Sequence, residues 1–542
     1  MRWFAPALAL LVLLLVASVA PAAELLPADK PIGEAIDHYV DARLKAANIT
    51  PAPQADDYTL IRRLTLDLVG RIPTPAETRA YVESKDTKKR EQLVDRLMGS
   101  SAFVRHQANQ FDAMLSGPNT RGGSGNLRDY LVRALGENRP WDQVFRELLL
   151  PDENDAKKKG AVEFLRSRVA DADRVTNDVS VLFFGVNVSC AQCHDHPLVI
   201  DWKQDHFYGM KSFFARTFDN GGFVAEREYG LVRFKPTKGP ERQAKMMFLT
   251  GTTVEAAGMK EPTKDEEKKE REKFEQFKKD KKAPPPPSFS ARAKLVEVAL
   301  QPKESEFFSR AIVNRLWHRF LGFGLVMPLD QMHSENKPSH PELLTWLARD
   351  IAAHKYDLRP TIRGIVLSQA YSRSSKWTSE TIPGPATFAV GRLKPLAPMQ
   401  MAMSLKVATT DPQTFENAKP EELEKRLEAL ESSAKGYANL FAQPTDDFQI
   451  GVGEALLFSN NDKVAREFLA DGNDKLLGRV KALNDPAKAI DLIVRSVLSR
   501  PPTAEEHQAL GEYISRRADR PDEAYKQVIW ALVSGAEFRF SY

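Results

Sequence analysis

Cys190 and Cys193, the only cysteines among 542 residues, stand three positions apart. A bridge between them would close a loop far too short to restrain such a chain, so disulfides do not hold this fold together. Stability has to come from a buried apolar core, and the 42% hydrophobic content is enough to build one. The pattern of those hydrophobic residues therefore decides the architecture.

That pattern is helical over most of the chain. Between Asp57 and Phe111, residues Tyr58, Ile61, Leu64 and Leu68 share one helix face, and Gly70 is placed to stop the helix. Thr74-Pro75-Ala76-Glu77 then spells a capping box, with threonine as the cap, proline at the first helical position and glutamate reaching back. Similar punctuation, Pro502-Thr503-Ala504-Glu505-Glu506, recurs near the C-terminus, and we read it as repeated use of a good cap rather than as a duplication. Ile312, Val313, Leu316, Trp317 and Phe320 form another apolar face, ended by Gly322 and Gly324. Ser339-His340-Pro341-Glu342 reads as a third capping box, and further helical patterns cover Thr361 to Tyr371 and Pro420 to Ala434.

Strand signals cluster in one place only. Short β-branched or alternating runs between Thr217 and Gly258, separated by Gly and Pro, predict a small β insertion. After it, Thr263 to Lys282 is almost wholly charged and leads into Pro284 to Pro287, a composition that predicts a solvated, mobile linker. The N-terminus opens with Arg2, an apolar run from Trp3 to Val19 and the small residues Ala20-Pro21-Ala22, the layout of a secretory signal peptide. An uncleaved anchor is the alternative, since the run reaches the lower limit of membrane-spanning length. The expected organisation is mainly α: a signal peptide at 1–23, a helical domain at 24–216, the β insertion and charged, Pro-rich linker at 217–295, and a second helical domain at 296–542. No transmembrane helix is expected after signal cleavage.

Lysine and arginine total 77 against 73 acidic residues, a near balance that points to no nucleic-acid partner. Asp67, preceded by Arg62 and Arg63, reads as part of an exposed helix face of mixed charges. Pro118 to Gly125 is Gly-rich but lacks the lysine and strand context of a phosphate cradle. His318, His333, His340 and His354 have no i, i+4 pairing among them and read as surface or cap residues.

Unusual chemistry is confined to Thr176–Arg216. Val179, Leu182, Phe183 and Val186 fall on helical spacing behind Asn177, a suitable cap, so a buried helix is expected to deliver Cys190. Cys190, Cys193 and His194 form C-x-x-C-H, the pattern of covalent haem attachment through two thioethers with the histidine as iron ligand. Pro197 argues against a thiol redox site, because it would interrupt the helix on which such a site is built. Three states stay open: haem c; zinc or another divalent metal held by Cys190, Cys193 and His196 or His206; and a local disulfide or redox pair. For haem, His196, His206 and Met210 are the candidates for a second axial ligand.

The runs R-R-L-T-L-D-L-V-G-R-I-P-T-P-A-E from Arg62 to Glu77 and F-F-G-V-N-V-S-C-A-Q-C-H-D-H-P from Phe183 to Pro197 resemble the cytochrome-like domain of unknown function abundant in planctomycetes. Arg310 to Val326, Pro338 to Ala348, Ser368 to Ser375 and the S-R-P-P-T-A-E-E near the end resemble its usual C-terminal companion domain. The resemblance implies an exported protein, in the periplasm or cell envelope, with a haem-like site at Cys190, Cys193 and His194. Electron transfer or oxidoreduction is the activity it implies. The partners implied are a redox partner or exported polysaccharide-processing and sulfatase-like proteins. A non-catalytic envelope protein that binds a partner or glycan is the alternative. Larger relatives carry a separate haem domain and a carbohydrate-binding-like insertion that this chain lacks.

Overall fold

A computed structural model describes residues 25–117, 125–255, 260–444 and 462–542. The expected signal peptide lies outside the described residues, as does the Gly-rich stretch up to Gly125, which opens a helix. No helix among the described residues is long and apolar enough to cross a membrane.

The fold is mainly α, as the periodicity predicts. Asp56 caps the helix Asp57–Val69 by accepting from the Thr59 amide at 2.8 Å, and Gly70 closes it in the left-handed conformation, φ 74°. A side chain at Gly70 would also place its Cβ 2.4 Å from His106 Nδ1, so glycine is required there twice over. The capping boxes at Thr74/Glu77 and Thr503/Glu506 both form. The one expected at Ser339 does not: the helix Pro341–Ala353 starts from His340, which makes no side-chain cap bond because its ring is buried against Phe388.

Strands are few and short. Thr217–Asp219 pairs antiparallel with Val224–Glu226, and Arg233–Phe234 with Arg242–Gln243, inside the expected insertion. A third ribbon, Lys394–Pro395 with Phe540–Ser541, was not signalled by the sequence and ties the C-terminus back to the body of the protein. The charged stretch is not the mobile linker predicted for it. Thr263 and Glu266 form a capping box that starts a helix from Lys264 to Lys279, none of whose residues is fully buried. That helix is docked by Phe274, whose ring meets Phe218 edge-on at 4.9 Å and whose carbonyl accepts from Asn220. Only the proline run beyond it is irregular.

Buried apolar residues form two large clusters. One draws on residues 35 to 389, and the other on 396 to 538 together with Leu66 and Ile72. The helix Asp57–Val69 serves both, with Ile61, Leu64 and Leu68 facing the first and Leu66 the second. Arg62, Arg63 and Asp67 are consequently buried, which overturns their reading as an exposed face of mixed charges. Arg62 donates to the Phe538 carbonyl at 3.1 Å, and Arg63 to the carbonyls of Arg373 and Tyr542 at 3.0 and 2.9 Å. Asp67 Oδ2 accepts from Tyr371 Oη at 2.8 Å and Lys394 Nζ at 2.6 Å. Each buried charge thus has partners, supplied by segments far away in sequence.

Candidate functional site

The cysteine loop hangs from the helix Ala172–Phe184. Its start differs from expectation: Asp171, not Asn177, is the cap, accepting from the amides of Asp173 and Arg174 at 2.9 and 3.2 Å, and Asn177 lies within the helix. Phe183 anchors the far end among the rings of Trp141, Phe145 and Phe164, with centroids 4.8 to 5.9 Å away. Gly185 then turns the chain at φ 67°, where a Cβ would come within 3.0 Å of Met332 Sδ.

Beyond the glycine the backbone is tied to a second strap. Val186 bridges Gln331, and the Asn187 amide donates to the Asp330 carbonyl at 2.8 Å. Asn187 Oδ1 accepts from the Ser189 amide and hydroxyl at 3.1 and 2.6 Å, starting the 3₁₀ turn Ser189–Gln192. Ala191 is buried, and Gln192 is fixed by Asp173 through its side chain and by Tyr208 Oη through its carbonyl. The residues between the cysteines therefore face the protein while both thiols, free and unbridged, face solvent. No helix follows until Gln204, in keeping with Pro197.

The histidines differ in what their rings can offer. His194 Nδ1 lies 2.7 Å from the Asp195 carbonyl. A carbonyl only accepts, so Nδ1 carries the proton and the Nε2 lone pair is left for a ligand. His196 shows the opposite arrangement: its Nδ1 accepts from the amides of Leu198 and Val199 at 3.2 and 3.0 Å, which puts the proton of the neutral ring on Nε2. His206 Nδ1 likewise accepts from the Lys203 amide at 3.2 Å, and its ring, packed edge-on against Trp202, is pushed toward the neutral form by burial. Met210 is wholly buried in the apolar core. Beside the loop Leu198 and Ile200 are 81% and 77% exposed, an apolar surface that none of the described residues covers. Among the described residues no three His, Cys, Asp or Glu side chains converge on a point where they could hold a metal ion.

A second polar concentration escaped the sequence reading. Asp67, His106, Arg319 and Lys394 line a cavity of about 720 Å³ where the two cores meet. His106, buried against Gly70, is held down to about 3, first by burial and then by the Arg319 charge, so it is neutral. Of these residues only Asp67 stood out in the sequence, because the others carry no motif and are gathered from three distant segments.

The fold and loop define a class: a mainly helical protein presenting C-x-x-C-H on a solvent-facing turn. The chain belongs to the proteins that carry, in this order, the PSCyt2 domain, a protein of unknown function (DUF1549), at residues 35–219 and the PSD1 domain, a protein of unknown function (DUF1553), at residues 291–430. No curated protein and no solved structure matches it.

Proposed function

We propose that this is an exported c-type haem protein acting in electron transfer or oxidoreduction, with Cys190 and Cys193 as the thioether anchors and His194 as the proximal iron ligand. The observation that carries this reading is the 2.7 Å contact of His194 Nδ1 with the Asp195 carbonyl, on the same turn as two exposed thiols. A histidine that ligates through Nε2 needs its Nδ1 proton engaged, which fixes the ring and raises its basicity. Leu198 and Ile200 offer an apolar surface next to the loop of the kind a porphyrin face or a docking protein covers.

When bound, haem would supply a one-electron couple, with a potential set by its axial ligands and burial. The chain's own part is to hold the turn. Asn187 and Asp330 fix its entry, Gln192 is locked to Asp173 and Tyr208, and Asp195 Oδ1 accepts from the Gln204 amide at 2.9 Å on the exit side. With Nδ1 of His196 and His206 used as acceptors, His194 is the one histidine of the three whose Nε2 lone pair is left over, and it is the residue that would hold the iron.

Mass spectrometry of the protein exported from a host with cytochrome c maturation tests the reading. The expected result is the mature chain plus one haem, with a Soret band that survives denaturation. The bare polypeptide mass would overturn it in favour of a structural metal site or a local disulfide in a non-catalytic envelope protein.

A further inference from the structure

The cavity where the two cores meet has an unbalanced charge. Four basic side chains, Arg315, Arg319, Arg392 and Lys394, stand against one carboxylate, Asp67, among its described lining residues. That carboxylate is already engaged, its Oδ2 taken by both Lys394 and Tyr371.

Arg315 and Arg319 are half-buried, and neither has a hydrogen-bonded carboxylate: Asp330 acts on Arg315 and Asp67 on Arg319 only through space. Arg319 bonds to the Gln107 side-chain oxygen and lies over the rings of Phe111 and Phe320, 5.8 and 5.1 Å from their centroids. Arg315 donates to the Val181 carbonyl at 2.6 Å. Burial pushes both guanidiniums down to about 10, which still leaves them charged at neutral pH. Arg392, exposed, lies over the Phe323 ring at 5.6 Å. Half-buried cations that lack a hydrogen-bonded anion gain from one, and a pocket lined mostly by one sign of charge with low-dielectric walls concentrates the opposite charge. The volume falls in the range of small-molecule sites, and the junction of two cores is a usual place for one.

We propose that this cavity binds a small organic oxyanion, with a carboxylate, sulfate-ester or phosphate-ester head on an apolar or aromatic body. The head is held by Arg319 and Arg392, because the Lys394 ammonium already donates to Asp67 and to the Phe320 carbonyl, and the body packs against Phe111 and Phe323. Guanidinium forks match the planar or tetrahedral oxygens of such heads, and the aromatic walls reward an apolar body. None of these residues belongs to the cysteine loop, so this site and the haem reading fail or succeed separately.

Calorimetric titration of the full-length protein with 4-nitrobenzoate, 4-nitrophenyl sulfate and 4-nitrophenyl phosphate, beside neutral 4-nitrobenzamide, tests the proposal and tells the three heads apart. At least one anion is expected to saturate a single site, at least about tenfold more tightly than the amide, and to weaken with added salt. R392Q, at an exposed position, is expected to weaken that anion about tenfold, and R319Q at least as much if it folds. Saturation by none of the anions, equal affinity for the amide, or unchanged affinity in R392Q would each overturn the site.

Discussion

Arg71 grips Glu77 through two hydrogen bonds of 2.8 and 2.9 Å, and near the other end of the chain Arg500 holds Glu506 through two of 2.7 Å. In both places the glutamate also closes a capping box with the threonine three residues before it, and a left-handed residue, Gly70 or Ser499, ends the preceding helix just before the arginine. The two segments share a whole helix–turn–helix device rather than a cap alone. Arg62 joins them, since its guanidinium contacts the Val497 carbonyl and Ser499 hydroxyl of the second unit at 3.4 Å.

The two copies are expected to respond unequally to loss of the acid. E77Q leaves Arg71 buried without its counter-charge and weakens the cap, a change expected to cost about 3–5 kcal/mol. E506Q leaves Arg500 its second partner, Glu537 at 2.6 and 2.7 Å, in a site open to water, so about 1 kcal/mol is expected. Urea unfolding of the two variants checks the order, and equal midpoints would refute it.

Stability is expected to fall as the medium is acidified, in two stages. His106 and His340, pushed by burial to about 3 and about 4, protonate in the unfolded chain first, near its ordinary histidine pKa of 6.5. Their contribution is present above 6.5 and declines below it, by up to about 1.4 kcal/mol per pH unit for each ring. Glu77, held at about 2 despite burial by the Arg71 charge, is depressed from 4.5 and adds its loss between 4.5 and 2. Unfolding midpoints measured from pH 7 to 4 should drop steadily in the parent and more gently in H106Q; parallel curves would exclude His106 as a source.

G70A is expected to destabilise the protein by about 2 kcal/mol or more, combining a left-handed backbone with a Cβ pressed onto His106. Gly384, where a Cβ meets nothing within 4 Å, is the control, and G384A should lie within about 0.5 kcal/mol of the parent in the same thermal melt.

At the cysteine loop, replacing both Cys190 and Cys193 with serine should abolish covalent haem attachment, because no thiol remains to form a thioether. H194A should keep the mass gain while changing the spin state or lowering the yield of holoprotein. Absorption spectra and intact mass of the two variants separate these outcomes, and an unaltered spectrum in H194A would remove His194 from the iron.

What the sequence determined by itself was local. The helices, the Gly70 and Gly322 stops, two of the three capping boxes and the C-x-x-C-H turn were all readable because each depends on residues within a few positions of one another. The tertiary structure decided what covers each face. Arg62, Arg63 and Asp67 have the composition of a solvated stripe, yet segments around 371–394 and 497–542 fold over that stripe and supply its carbonyls, its hydroxyl and Lys394. The helix Lys264–Lys279 reads as linker by composition, and the contact of Phe274 with Phe218 docks it. Which histidine keeps a free Nε2 was settled by single backbone groups, the Asp195 carbonyl against the Leu198 and Val199 amides. Burial and hydrogen bonding between distant segments depend on how the elements pack, and residue identity along the chain does not encode that packing in any short window.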